Sequence, residues 1–266
     1  MLNRLSPVVK NLLIINVVVF IGQKLLSGID LTSALALWNI GSPSFKPYQF
    51  FSYMFAHGGF GHILFNMLGL IFLGPLLERF WGSQKFLIFY MVTGIGAGVL
   101  YSGIKYVENN QLKKSVDTYL SNPSPESFNL LIVDNFDGRV NPIVFDFIDK
   151  YDQSPNNSSL EGESKRIAES LLQSSIDYGS MLGASGAIYG ILMAFGMLFP
   201  NTELMLLFPP IPIKAKYMVM GLGAYAIYAG FKQNPNDVTA HFAHLGGMVF
   251  AFIMIKYWQS QRTDFY

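Results

Sequence analysis

Six apolar stretches, each long enough to cross a lipid bilayer as a helix, constrain this chain more than any other feature. A bilayer core about 30 Å thick needs roughly 17 to 25 apolar residues of helix. The six stretches are Val8–Leu26, His62–Phe80, Phe86–Ile104, Gly183–Phe199, Ala215–Phe231 and His241–Trp258. Spanning segments are helices or closed barrels, and these runs are too long and continuous for barrel strands. We therefore predict an all-α, polytopic membrane protein with six transmembrane helices.

Charged residues are scarce and unevenly placed. Only 13% of the chain is charged and its mean hydropathy is +0.34, whereas a soluble domain carries about 25% charged residues. Residues 105–177 hold 7 Lys or Arg and 12 Asp or Glu, more than half of all the charges. We therefore predict the first three transmembrane helices in residues 1–104, a soluble extracytoplasmic insert in 105–177, and the last three transmembrane helices in 178–266.

The predicted insert shows helical periodicity rather than the composition of a linker. Apolar residues recur at helical spacing around 112–119, 128–136, 144–151 and 167–176. We expect a small helical subdomain on the outer face of the bundle. Whether it covers the site described below, binds a partner or does neither stays open at this point.

Lys and Arg in the short loops indicate which side of the membrane each loop occupies. With the N-terminus inside, the inner side carries eight of these residues and the outer short loops carry three. The inner residues are Arg4, Lys10, Arg79, Lys85, Lys214, Lys216, Lys256 and Arg262, and the outer ones are Lys24, Lys46 and Lys232. We therefore predict cytoplasmic N- and C-termini. No small-residue cleavage site follows the N-terminal apolar stretch, so we expect a retained anchor rather than a signal peptide.

The polar side chains of the predicted spans gather at one end of the bundle. Polar groups inside a membrane are costly and by default indicate a functional site. His57 and His62 lie at the start of the second span, Ser185 starts the fourth, and His241 and His244 start the sixth. The predicted topology places all three starts at the outer side of the membrane, and so at similar depth.

The fourth and sixth spans carry the residue types of a serine nucleophile and its base. Serine needs a neighbouring base that takes its proton at about 2.6–3.2 Å, and neutral His244 offers one to Ser185. Small residues at Gly183, Gly186 and Gly190 let helices approach this closely. No Asp or Glu lies in the outer halves of the spans. We therefore predict a Ser-His dyad, with ring packing from Tyr189, one turn below Ser185, in place of an orienting carboxylate.

The second span offers hydrogen-bond donors for the same chemistry. His62 and Asn66 are four residues apart and share one helix face. Acyl transfer requires donors that stabilise the developing oxyanion. Three groups fit this role: a ring N–H of His62, the amide of Asn66, and the backbone N–H of Ser185 at a helix N-terminus.

Three short motifs resemble those of rhomboid intramembrane serine proteases. They are "HGGFGHILFNM" (57–67), "GASG" (183–186) and "AHLGG" (243–247), in the family's order on the second, fourth and sixth spans. The resemblance covers nearly all of the chain outside the insert, and implies a six-helix rhomboid-like bundle. The insert is not part of the basic core of that family.

The resemblance also implies a role for each candidate residue. Ser185 would be the nucleophile and His244 the general base, while His62 and Asn66 would form the oxyanion hole and Tyr189 would stack on His244. Substrates would be single-span membrane proteins, cut within or near the outer membrane boundary. The loop 232–240 would be a movable cap over the site. No cofactor and no metal are implied.

Other interpretations are weighed beside this one. Ser185 alone is typical of a helix crossing, His62 and Asn66 of interhelical hydrogen bonding, and His57 and His241 of structural histidines. His241 and His244 have a usable metal-ligand spacing, but no carboxylate lies near them to complete a zinc site. A net charge of +1 without a basic stripe argues against nucleic-acid binding.

Two further functions are considered for the whole chain. A catalytically silent rhomboid-like protein would bind transmembrane helices, but it has no need of the complete serine, histidine and asparagine set. A transporter would show charges along a pathway and an internal repeat, and the sequence has neither feature.

Overall fold

The computed structural model of the chain describes residues 5–26, 28–136, 140–177, 180–205, 210–232 and 240–261. These ranges are predominantly helical, so the prediction of an all-α fold is confirmed. The helices are α1 (Pro7–Leu25), α2 (Leu31–Leu35), α3 (Gln49–Ser52), α4 (Phe60–Trp81), α5 (Ser83–Ser121), α6 (Pro125–Phe136), α7 (Ile143–Asp152), α8 (Ser158–Asp177), α9 (Ser185–Leu198), α10 (Ala215–Lys232) and α11 (His241–Ser260). A 3-10 turn at Tyr53–Phe55 precedes α4.

Three of the described helices are long and apolar enough to cross a membrane, namely α1, α4 and α5. The predicted fourth span corresponds to α9, which is apolar but has only 14 residues. The fifth and sixth correspond to α10 and α11, which have 18 and 20 residues and are not among these three helices. The count of six spans therefore stays a prediction. Arg4 and Arg262, which contribute to the predicted orientation, lie outside the described residues.

Helix α5 runs without a break through the predicted boundary between the third span and the insert. No proline occurs between Pro75 and Pro123, so the sequence does not stop the helix before that point. The helix predicted around 112–119 is therefore the continuation of α5. At the other end, Gly82 separates α4 from α5 with a φ of +84°, a conformation that favours glycine.

A second apolar core lies in the insert, apart from the core of the bundle. It is built by the continuation of α5 together with α6, α7 and α8. The rings of Tyr119, Phe128, Phe147 and Tyr151 follow one another with centroid distances of 5.4 to 6.1 Å. The Tyr119 hydroxyl also hydrogen-bonds the hydroxyl of Ser164, which joins α5 to α8. A core of its own is typical of a subdomain, while the exact boundaries at 104 and 177 stay predictions.

A buried carboxylate holds α1 against the rest of the bundle. Glu78 on α4 is 2% exposed and accepts hydrogen bonds from the backbone N–H groups of Val8 and Val9, both at 3.0 Å. It also accepts one from the Ser83 hydroxyl at 2.6 Å. The first N–H groups of a helix have no partner within it, and the helix dipole favours an anion there. Glu78 therefore caps α1 and ties it to α4 and α5.

A two-stranded antiparallel sheet between α9 and α10 is an element that the sequence analysis did not predict. Its strands are β1 (Glu203–Met205) and β2 (Pro212–Lys214), of three residues each. Strands this short contain too few residues to show an alternating pattern.

Candidate active site

Three helices begin at one end of the bundle and bring the expected site residues together. These are α4, α9 and α11, and α9 and α11 meet through small residues. A Cβ on Gly247 would lie 1.9 Å from the carbonyl oxygen of Gly186, and a Cβ on Gly186 would lie 2.5 Å from the Cβ of Ala97. The backbones of α9 and α11 are thus in direct contact, with α5 packed beside them.

We expect Gly247→Ala to destabilise the bundle, because the added methyl group overlaps backbone atoms that cannot rotate away. Overpacking of this kind costs about 1–3 kcal/mol or more. Gly221→Ala on α10 is a matched control, since nothing lies within 4 Å of its Cβ position. The melting temperature in detergent should fall for Gly247→Ala and stay level or rise for Gly221→Ala. Equal melting temperatures for the two variants would contradict the close contact of α9 and α11.

Ser185 and His244 face each other across this helix contact. The Ser185 Oγ lies 2.9 Å from the His244 Nε2, which is within hydrogen-bond range. When Nε2 carries no proton, the Ser185 hydroxyl donates to it, and the ring is placed to accept that proton. His244 is 8% exposed, whereas Ser185 is only partly buried. The pair is therefore largely shielded by the bundle, and Ser185 is the less buried of the two residues.

The Tyr189 ring stacks on the His244 ring. The two planes are inclined by 6° and their centroids are 4.0 Å apart. Both residues lie on helices whose backbones are in contact, so the tyrosine limits rotation of the imidazole. This stacking is the geometry that the sequence analysis expected from the resemblance.

His62 and Asn66 lie beside the loop that leads into Ser185. A Cβ on Gly183 would be 2.5 Å from the His62 Nε2 and 3.6 Å from the Asn66 Nδ2, so both nitrogens face this glycine. The Gly58 N–H donates to the His62 Nδ1 at 3.4 Å, which favours the neutral tautomer with its proton on Nε2. The Asn66 Nδ2 is buried and has no hydrogen-bond partner among the described residues. Two N–H donors thus converge on the approach to Ser185.

His57 supports this region from the loop before α4. Its ring meets the His62 ring edge-on, with centroids 5.1 Å apart, and its backbone N–H donates to the Gln23 Oε1 at 3.0 Å. Burial and, second, the neighbouring His62 lower the pKa of His57 to about 4. The ring is therefore neutral near pH 7. These contacts agree with the structural role that the sequence analysis favoured.

His241 lies at the start of α11, beside the dyad. Its ring meets the Tyr225 ring of α10 edge-on at 5.6 Å and the His244 ring at 6.1 Å between centroids. The His241 ring thus lies between Tyr225 on α10 and His244 of the dyad. Across the described part of the chain, no three His, Cys, Asp or Glu side chains are grouped so that they could hold a metal ion.

The loop before Ser185 is held by backbone contacts that the sequence analysis missed. Leu37 and Met181 exchange two backbone hydrogen bonds of 2.8 Å each, and the Gly183 N–H donates to the Tyr53 carbonyl at 2.9 Å. Gly183 has a φ of +115°, which residues with a side chain rarely adopt. Backbone pairing between distant segments leaves no residue-type signal, and only the glycine pointed to this loop. Within the expected cap loop at 232–240, residues 233–239 lie outside the described residues.

Comparison with known proteins gives a family match. The Rhomboid domain model matches residues 44–116 and 164–260 and leaves 117–163, within the insert, unmatched. The rhomboid protease GlpG of Klebsiella pneumoniae is 33% identical over 93 residues, which cover 35% of this chain and 34% of GlpG. The putative rhomboid protease YdcA of Bacillus subtilis is 33% identical over 58 residues, covering 22% of this chain and 29% of YdcA.

A plant relative matches a shorter stretch. RHOMBOID-like protein 1 of Arabidopsis thaliana is 38% identical over 55 residues, covering 21% of this chain and 14% of the plant protein. The matched segments thus span about a third or less of each relative's own length.

Proposed function

Because this chain belongs to the rhomboid family and is a multi-pass integral membrane protein, we propose that it is an intramembrane serine endopeptidase. Its substrates are single-span membrane proteins, cut within or near the outer boundary of the membrane. The observation that carries the proposal is the 2.9 Å separation between the Ser185 Oγ and the His244 Nε2. A serine hydroxyl becomes an effective nucleophile only beside such a base. The names of the two bacterial relatives support the same class of reaction.

The reaction proceeds through an acyl-enzyme. A substrate helix unwinds near the outer boundary and presents a carbonyl carbon to the Ser185 Oγ, while the His244 Nε2 takes the hydroxyl proton. The tetrahedral intermediate collapses when the protonated His244 gives this proton to the leaving amine. Water then attacks the ester carbonyl, with His244 again as the base, and releases the second product and the free Ser185.

Three N–H donors stabilise the negative oxygen in both tetrahedral intermediates. They are the His62 Nε2–H, the Asn66 Nδ2 and the backbone N–H of Ser185, which is the first residue of α9. The buried and unpartnered Asn66 Nδ2 supports this assignment, because a buried donor without an acceptor costs free energy unless the reaction supplies one. The stacked Tyr189 orients His244 in place of a carboxylate.

The proposed orientation places the site on the extracytoplasmic side, with both termini in the cytoplasm. Basic residues at the other end of α4, α5 and α11, among them Arg79, Lys85 and Lys256, fit the excess of positive charge expected on the cytoplasmic side. The insert contains the end of α5 and leads to the start of α9. In this orientation it lies on the same side of the membrane as the dyad.

The proposal is tested with purified protein in detergent and a panel of single-span membrane proteins that carry a different fluorescent tag at each end. We expect wild type to release two tagged fragments, with the cut mapped by mass spectrometry within or near the outer end of the span. Ser185→Ala should release none, and Ser180→Ala, in the same loop, should cleave as wild type does. Wild type that binds the panel without cutting it would instead be a silent, helix-binding rhomboid-like protein.

A further inference from the structure

Asn39 lies in the loop between α2 and α3, here called the first loop, where this loop meets the end of the insert. Its side chain is 3% exposed, and its Nδ2 donates to the carbonyl oxygens of Ser175, at 3.3 Å, and Ile176, at 2.9 Å. Both carbonyls belong to the last turn of α8, where a helix has no partners of its own for these groups. Asn39 thus caps α8 from a segment 136 residues earlier in the chain.

Two further contacts join the same elements. The Ser42 hydroxyl donates to the Asp177 Oδ1 at 3.3 Å. The Ile176 side chain lies 3.6 Å from the position of a Cβ on Gly41. Segment 39–42 therefore packs against the end of α8 through both polar and apolar contacts.

The other end of this segment is tied to the loop that carries the nucleophile. Leu37, two residues before Asn39, exchanges two backbone hydrogen bonds with Met181. Gly183 follows two residues after Met181, donates to the Tyr53 carbonyl and lies against His62. Ser185 is two residues further along. A short series of contacts thus runs from the end of the insert to the backbone beside the dyad.

Hydrogen bonds from the Gln49 side chain hold the first loop together, so that a displacement of Asn39 can reach Leu37. Gln49 is 1% exposed, and its Oε1 accepts the N–H groups of Trp38, at 3.4 Å, and Lys46, at 3.0 Å. Its Nε2 donates to the Ser44 carbonyl at 3.0 Å. Because Trp38, which lies between Leu37 and Asn39, is held in this way, we expect a shift at Asn39 to move Leu37 as well.

We propose that Asn39 is a positioning residue that links the insert to segment 180–184, the loop that leads into Ser185. By holding the end of α8 to the Leu37 segment, it fixes where Gly183 and the Ser185 amide stand relative to His62 and Asn66. This inference rests on the proposed function. It gives the insert a task, because the position of the end of α8 sets the geometry of the site.

The test compares two asparagines that make the same kind of hydrogen bond. Asn39→Leu keeps the side-chain size and removes the donor. Asn135→Leu is the matched control, because the Asn135 Nδ2 donates to the Leu131 carbonyl of its own helix at 3.0 Å. We expect Asn39→Leu to lower kcat about tenfold, since small misplacements of reacting groups have effects of this size or larger. KM should stay within about twofold, and Asn135→Leu should change neither constant.

Deuterium uptake supplies a second readout that needs no substrate. In the full-length protein, the peptide covering 180–184 should exchange faster in Asn39→Leu than in wild type, and at the wild-type rate in Asn135→Leu. Ser42→Ala, which removes the bond to Asp177 and the bond from the Ser44 N–H, should change uptake in the same direction by less, and it serves where Asn39→Leu does not fold. Unchanged uptake in the Asn39 and Ser42 variants, or equal changes in the Asn135 control, would overturn the inference. If wild type cleaves no substrate, the proposed function is contradicted. The deuterium-uptake comparison would then still test whether Asn39 links the insert to segment 180–184.

Discussion

Ser185→Ala and His244→Ala are each expected to lower the cleavage rate by about a thousandfold or more, and the double variant is expected to be no slower than either single variant. The Ser185 Oγ and the His244 Nε2 lie 2.9 Å apart, and in the proposed mechanism neither acts without the other. Residues that work as one catalytic unit show strongly non-additive losses. Initial rates with one tagged single-span substrate, measured for the four proteins in detergent, give the comparison.

A buried serine outside the site provides the control for this cycle. Ser102 on α5 is 3% exposed, and its hydroxyl has no hydrogen-bond partner among the described residues. Ser102→Ala should therefore cleave at the wild-type rate. If the losses of Ser185→Ala and His244→Ala instead multiply in the double variant, the two residues act independently and the dyad is wrong.

Asn66→Ala is expected to lower kcat by about a hundredfold with little change in KM, because removal of one oxyanion donor has an effect of about 10²–10³. In the proposed mechanism the effect falls on kcat, because the Asn66 Nδ2 meets a developing negative charge in the transition state and none in the bound substrate. The measurement is a full rate-against-concentration curve for wild type and variant.

Asn16→Ala controls for the loss of a buried amide from a membrane helix. Asn16 is 0% exposed, and its Nδ2 donates to the Leu12 carbonyl at 2.8 Å on α1. We expect it to retain wild-type kcat, even where its melting temperature falls. A rise in KM for Asn66→Ala at unchanged kcat would mean that Asn66 binds the substrate in its ground state, which contradicts the oxyanion role.

The pairing of Ser185 with His244 could be predicted because it follows from a few strong signals. Apolar runs mark where the helices begin, alternating topology places these starts at one end, and small residues allow close approach. The contact of Gly247 with the Gly186 backbone is the close approach that small residues allow, and the stacking of Tyr189 was implied by the family resemblance. Regular helices turn sequence spacing into position in space.

Other features could not be predicted because they depend on contacts between irregular segments. The pairing of Leu37 with Met181 uses backbone groups that every residue has. The capping of α8 by Asn39 depends on where the insert docks, and a lone asparagine before a glycine-containing loop gives no sign of that. The apolar and the charged halves of α5 differ in composition, and this difference predicted a membrane span followed by a separate soluble helix. The backbone instead forms one unbroken helix.

The most direct test of the central claim is reaction of the purified protein with a fluorophosphonate probe, whose phosphorus is attacked by the oxygen of an activated serine with loss of fluoride. Intact mass and peptide mapping should find one adduct per chain, on Ser185, in wild type. His244→Ala should label far more slowly, and Ser185→Ala should not label at all. An adduct on another residue, or equal labelling of wild type and Ser185→Ala, would contradict a nucleophilic Ser185 activated by His244.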